Sequence, residues 1–143
     1  MTPSIQSQIM AAAVAVTNGA AGAQSWRTRM AAFNPGELPA INILPDEGDA
    51  EYLDTDSIDR KFVFKVRHIT QAVDQCDAAI DPVYVAASKA LLSDPTLGGL
   101  VRFLRENSQK WEMEKGEYDT VALVVLYQAE FSTTRSDPSV ACG

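Results

Sequence analysis

The chain has 143 residues, 46% of them hydrophobic and 22% charged, enough for one domain with a core of its own, expected to span residues 1–143. Its formal net charge of −7, from 12 basic and 19 acidic residues, is the wrong sign for wrapping nucleic acid, which needs Lys and Arg to neutralise phosphates. A mean hydropathy of −0.09 speaks against a membrane protein. The longest apolar run near the N-terminus, Ile9–Val16, falls well short of the roughly 20 residues of a spanning helix. No Lys or Arg precedes Arg27, so the basic flank of a signal peptide is missing. Cys76 and Cys142 are too few and too far apart for a disulfide framework and point to a reducing, intracellular setting.

In chain order, residues 4–17 read as a helix. Ile5, Ile9, Ala12 and Val16 recur at helical spacing, Ser4 suits the N-cap, and Asn18-Gly19 is a stop signal. Residues 19–37 are irregular, broken by Gly19, Gly22, Pro35 and Gly36, with a short strand expected at Ser25–Met30. Leu38–Leu44 reads as a strand closed by Pro45. Asp46–Asp59 holds seven acidic residues and no basic one. It is expected to be a solvated loop, at most the tip of a hairpin, and it lacks the ligand spacing of a calcium loop.

Arg60–Thr70 alternates as a strand, with Phe62, Phe64 and Val66 inward and Val63, Lys65 and Arg67 outward. His68, the only histidine, follows the inward register. A second helix is expected to start at Asp81-Pro82, an N-cap acid before Pro at the first helical position, with Ile80, Tyr84, Ala87 and Leu91 as its stripe. Asp94-Pro95 ends it, and Leu97-Gly98-Gly99 is a turn needing positive φ. Leu100–Glu114 and Thr120–Thr133 form a hairpin around Gly116. In its second strand Val121, Leu123, Val125, Tyr127 and Phe131 share a face. Ala122, Val124 and Leu126 make the first half apolar on the other face too, so that half needs a second cover, for which a neighbouring subunit is one source. The tail Arg135–Gly143 is polar, holds Pro138 and is expected to fray. The fold class is therefore α+β: a mostly antiparallel sheet with two main helices packed on it, in the order helix–strand–loop–strand–helix–β-hairpin.

No catalytic residue, cofactor site or metal site stands out. Nucleophilic catalysis needs an activated side chain beside a base. The one imaginable pair, His68 with Cys76, places the thiol between Asp74 and Asp77, which disfavours thiolate. No Cys-x-x-Cys or His pair suggests zinc, and Gly98-Gly99 lacks the lysine and spacing of a phosphate loop. A small enzyme or ligand-binding module around His68 and Cys76 remains the distant alternative.

Three stretches carry a resemblance. They are Gly36-Glu-Leu-Pro-Ala-Ile-Asn-Ile-Leu-Pro45, preceded by Arg27 and Arg29; Leu91-Leu-Ser-Asp-Pro-Thr-Leu-Gly-Gly-Leu100; and the hairpin Trp111–Glu114 into Val121–Thr134, with Tyr127 and the closing Asp137-Pro138. In sequence and spacing together they resemble the tail terminator family of long-tailed bacteriophages, the minor tail protein U type, over nearly the whole chain. The resemblance implies a virion structural protein without enzyme activity. It implies a homo-oligomeric ring, typically a hexamer, at the head-proximal end of the tail, assembled in the cytoplasm of the bacterial host. Such a ring caps the tube of major tail protein, halts its growth and meets the head completion or connector protein, while DNA passes its lumen without specific binding. Head–tail connector, tail completion and tail tube subunits share the size and style and are the nearer alternatives. The structural signature carried over is Glu37, Leu38, Pro39 and Ala40 with Leu97, Gly98 and Gly99. Candidate oligomer or partner contacts are Trp26, Arg27, Arg29, Lys65, Arg67 and Trp111.

Overall fold

A computed structural model describes residues 2–53 and 55–141; Cys142, expected to be mobile, lies outside them. The architecture is α+β, as the pattern predicts. Helix α1 (Ile5–Thr17) leads into the short strand β1 (Gln24–Arg27), then the long strands β2 (Ala40–Tyr52) and β3 (Ser57–Gln71). Helix α2 (Cys76–Leu92) follows, and β4 (Phe103–Glu114) and β5 (Thr120–Thr134) close the chain. The five strands form one sheet in the order β1-β2-β3-β5-β4, antiparallel except for the β1–β2 pair.

Both helices lie on one face of this sheet. Ile5, Ile9, Met10 and Ala13 of α1 and Ile80, Val83, Ala87 and Leu91 of α2 pack on Ile41, Ile43, Phe62, Phe64, Val66, Leu123, Val125 and Tyr127. Each fully buried Ile or Phe contributes about 1.5–3 kcal/mol against exposure, and Phe64 stacks on Tyr127 at 5.8 Å. The Ser4 cap is as expected, its hydroxyl accepting from Ser7 N–H. The expected stripe of α1 holds at Ile5 and Ile9 and is one residue off in its second half: Val16 is exposed, while Met10, Ala13 and Thr17 are buried. Thr17 turns inward because its hydroxyl bonds to the Ala13 carbonyl at 2.8 Å and the Ser25 hydroxyl at 2.7 Å.

Three further expectations are corrected. Pro45 does not end β2. It sits beyond the stretch paired with β1, where no ladder N–H is needed on that side, and the strand steps past it through a bulge at Asp46. Most of the acidic stretch is therefore strand, and only residues 53–56 separate β2 from β3. Helix α2 starts at Cys76 rather than at Asp81, with Pro82 inside it.

The second cover over the sheet is intramolecular. Ala40, Ile69, Ala122 and Val124 form a small cluster under Phe33, with Trp26 and Leu38 against its rim. The far half of that face, from Leu44, Val63 and Leu126 outward, carries mainly polar and charged side chains. Part of the segment expected to fray is hydrogen-bonded: Pro138 C=O accepts from Ile5 N–H, Val140 C=O from Thr134 N–H, and Ala141 bridges Thr133.

Candidate assembly surface

The residues singled out in the sequence fall into four places. The first is a clasp over the sheet. The Arg29 guanidinium lies 4.6 Å from the Trp26 ring and 4.2 Å from the Phe33 ring. It grips Glu37 with two bonds, of 2.5 and 2.8 Å, and donates to the Ala31 and Ala32 carbonyls. A planar, five-donor cation suits this role. The Arg29 bond, then the Asn34 N–H, holds the Glu37 carboxyl below its ordinary value. Asn42, buried on the same face, exchanges two hydrogen bonds with the Arg29 backbone. Leu38 packs at the cluster rim and Ala40 opens β2 beneath it. Trp26 and Arg29 thus meet their own chain. Arg27 is exposed and reaches Ser7 of α1 at 2.9 Å.

The second place is the turn after α2. Leu97, Gly98 and Gly99 have φ of 49°, 71° and 90°, a run of left-handed residues for which glycine is the ordinary choice. Asp94 builds the turn: its carboxylate accepts from Thr96 N–H, Thr96 O–H and Gly98 N–H, which holds its pKa below the usual carboxylate value. Gly99 N–H goes to Thr96. The amides that a phosphate would need are spent inside the turn, while Leu97 inserts into the core.

The third place is the open half of the sheet. Residues paired across neighbouring strands share a face, so Glu47, Asp49 and Glu51 of β2 lie with Lys61 and Lys65 of β3, Gln128 and Glu130 of β5, and Arg105 and Lys110 of β4. Lys65 is 4.0 Å from Asp46. Arg67 reaches across β5 to Glu114 at 2.7 Å and Glu112 at 3.5 Å. Such partly exposed pairs add little stability. Arg102 pairs with Asp59, and Ser132 bonds to the same carboxylate.

The fourth is the outer strand β4, paired on one side only. Trp111 is 51% exposed and Met113 60%, both pointing to the helix side. β2 is likewise free along its other edge beyond Ile43, where β1 stops. Sequence reasoning missed these two long unpaired edges, because sheet order rests on long-range pairing that no local pattern encodes.

His68 and Cys76 are not brought together. His68 is fully buried, its Nδ1 against the Leu123 carbonyl at 2.9 Å and its ring edge-on to Tyr84 at 5.6 Å. Burial pushes its pKa down, so the ring is neutral and Nδ1 carries the proton. Nε2 finds no hydrogen-bond partner among the described residues. Tyr84 instead donates to Glu106 at 2.6 Å and accepts from Gln109; chiefly through the carboxylate its pKa is pushed up to about 12. Among the described residues no helix is long and apolar enough to cross a membrane.

No protein-family model and no curated protein matches the chain. Among solved structures it is similar to a chain of the virion of a native gene transfer agent particle. The two are 19% identical, the match covers 89% of this chain and 92% of the other, and the TM-score is 0.46.

Proposed function

We propose that the chain is a virion structural protein of the tail terminator type. Its subunits form a ring that caps the tail tube, stops its growth and offers a surface to the head connector. The observation that carries this reading is where the marker stretches fall. Glu37–Ala40 fastens the clasp over the sheet, the turn at residues 94–99 links α2 to the outer strand, and the final hairpin supplies that strand and its inner neighbour, β5. The markers thus sit at joints of one α+β scaffold, in the order that the resemblance implies. The acidic balance suits a lumen that DNA crosses without being held.

The test is negative-stain imaging of the purified protein mixed with tubes of major tail protein. Discrete rings and tubes capped at one end are expected. Filaments of this protein alone would mark it as a tube subunit instead. A monomer that leaves tube length unchanged would refute the reading.

A further inference from the structure

We propose that neighbouring copies join by antiparallel pairing of β4 of one with the distal half of β2, Leu44–Tyr52, of the next. This deepens the ring reading and rests on it. The two strands are the free edges of one sheet, and an unpaired edge is a template for another strand. Their directions also fit. In the order β2-β3-β5-β4 every pair is antiparallel, so β4 runs opposite to β2. A copy added by rotation about an axis along the strands keeps these directions and sets β4 antiparallel to the next β2. Such contacts are head-to-tail and close into a ring when the rotation closes.

Charge picks the register. Glu47, Asp49 and Glu51 point to the open face of β2, are exposed, and form no ion pair among the described residues. Arg105 and Lys110 point to the same face of β4 and are exposed too; within the subunit Lys110 lies 3.1 Å from Glu112, a partly exposed pair that costs little to exchange for Glu47. β4 carries one extra residue, Asn107, at a bulge between Glu106 and Ser108. Counting past it, Arg105 opposite Glu51 sets Ser108 opposite Asp49 and Lys110 opposite Glu47. In the same register Glu106 and Gln109, on the helix side, meet Ala50 and Gly48, which offer little bulk. The acids of β4 do not oppose the match: Glu106 is engaged by Tyr84, and Glu112 and Glu114, past the acidic stretch, are engaged by Arg67, which still holds Glu112 when Lys110 turns to Glu47.

The test is a charge swap, with assembly read by native mass spectrometry and folding by circular dichroism. Arg105→Glu with Lys110→Glu sets acid against acid in every contact; Glu47→Lys with Glu51→Lys sets base against base. Each pair of changes alone is expected to abolish the ring and leave the fold intact. A one-to-one mixture of the two variants restores both contacts and should restore the ring, as should the quadruple variant. In rings of the wild type, alternate amides of Phe103–Glu114 should exchange with solvent at least tenfold more slowly than in the monomer. Rings of wild-type size from either variant alone, or failure of both the mixture and the quadruple variant, overturn the edge pairing and leave the ring reading standing. A wild-type chain that never assembles, alone or on tubes, removes both.

Discussion

Phe33→Ala tests whether the chain covers its own sheet. Phe33 is 8% exposed and closes the cluster of Ala40, Ile69, Ala122 and Val124, with the Trp26 ring edge-on at 6.1 Å. Truncating a buried Phe costs about 3–5 kcal/mol, the spread reflecting how far the site collapses. The segment around Phe33 is not held in a long helix or strand, so it can settle inward, and about 3 kcal/mol is expected. For a chain of this size that lowers Tm by about 10 °C. Urea unfolding followed by tryptophan fluorescence measures it, with Trp26 beside the cavity as reporter, and should be repeated across a range of protein concentrations. A loss below about 1 kcal/mol would mean that Phe33 is not the lid. A loss that grows with protein concentration would mean that another subunit supplies the cover, the arrangement that the apolar run in β5 first suggested.

Gly99→Val should destabilise through backbone strain alone. φ is +90° and a Cβ there meets open space, so about 1–2 kcal/mol is expected and Gly99→Ala should cost less; equal urea midpoints for all three chains would contradict this. His68 is kept neutral by burial, so the unfolded chain binds the proton more readily. Stability is expected to be full above pH 6.5 and to fall below it, by at most about 1.4 kcal/mol per pH unit from this group, and His68→Gln should remove that part of the slope. Tyr84 titrates near 12, so the absorbance change lost in Tyr84→Phe should lie well above the ordinary tyrosine range near 10. A difference centred near 10 would mean that its bond to Glu106 does not persist in solution.

The central strands were legible because their alternation is strict. Phe62, Phe64 and Val66, and Val121 through Tyr127, have one reading, and the sheet gives them the predicted face. The face of α1 was ambiguous because its middle is alanine-rich, so stripes ending at Val16 or Thr17 score alike until the Ser25 hydroxyl is known to receive Thr17. Proline misled twice. It is a good first residue of a helix and a poor strand interior, yet Pro82 sits well inside α2 and Pro45 on an unneeded side of β2. At the candidate site, Trp111 was found as an exposed aromatic on the outer strand. The union of Arg29 with Glu37, Trp26 and Phe33 was not readable, because no helical or strand period relates those positions.

One residue decides which side of the sheet carries the acids. Strict alternation from Ile41 and Ile43 would bring the odd-numbered Glu47, Asp49 and Glu51 to the helix side, into apolar surroundings. The bulge at Asp46 reverses the parity, so the same acids emerge on the open face. Single-residue length changes should therefore be tolerated unequally along β2. Deleting Asp46 lets Glu47 follow Pro45 in a regular ladder and leaves all three acids where they are. Inserting a residue between Gly48 and Asp49 turns Asp49 and Glu51 toward the helices, because a one-residue slip in a strand exchanges its faces.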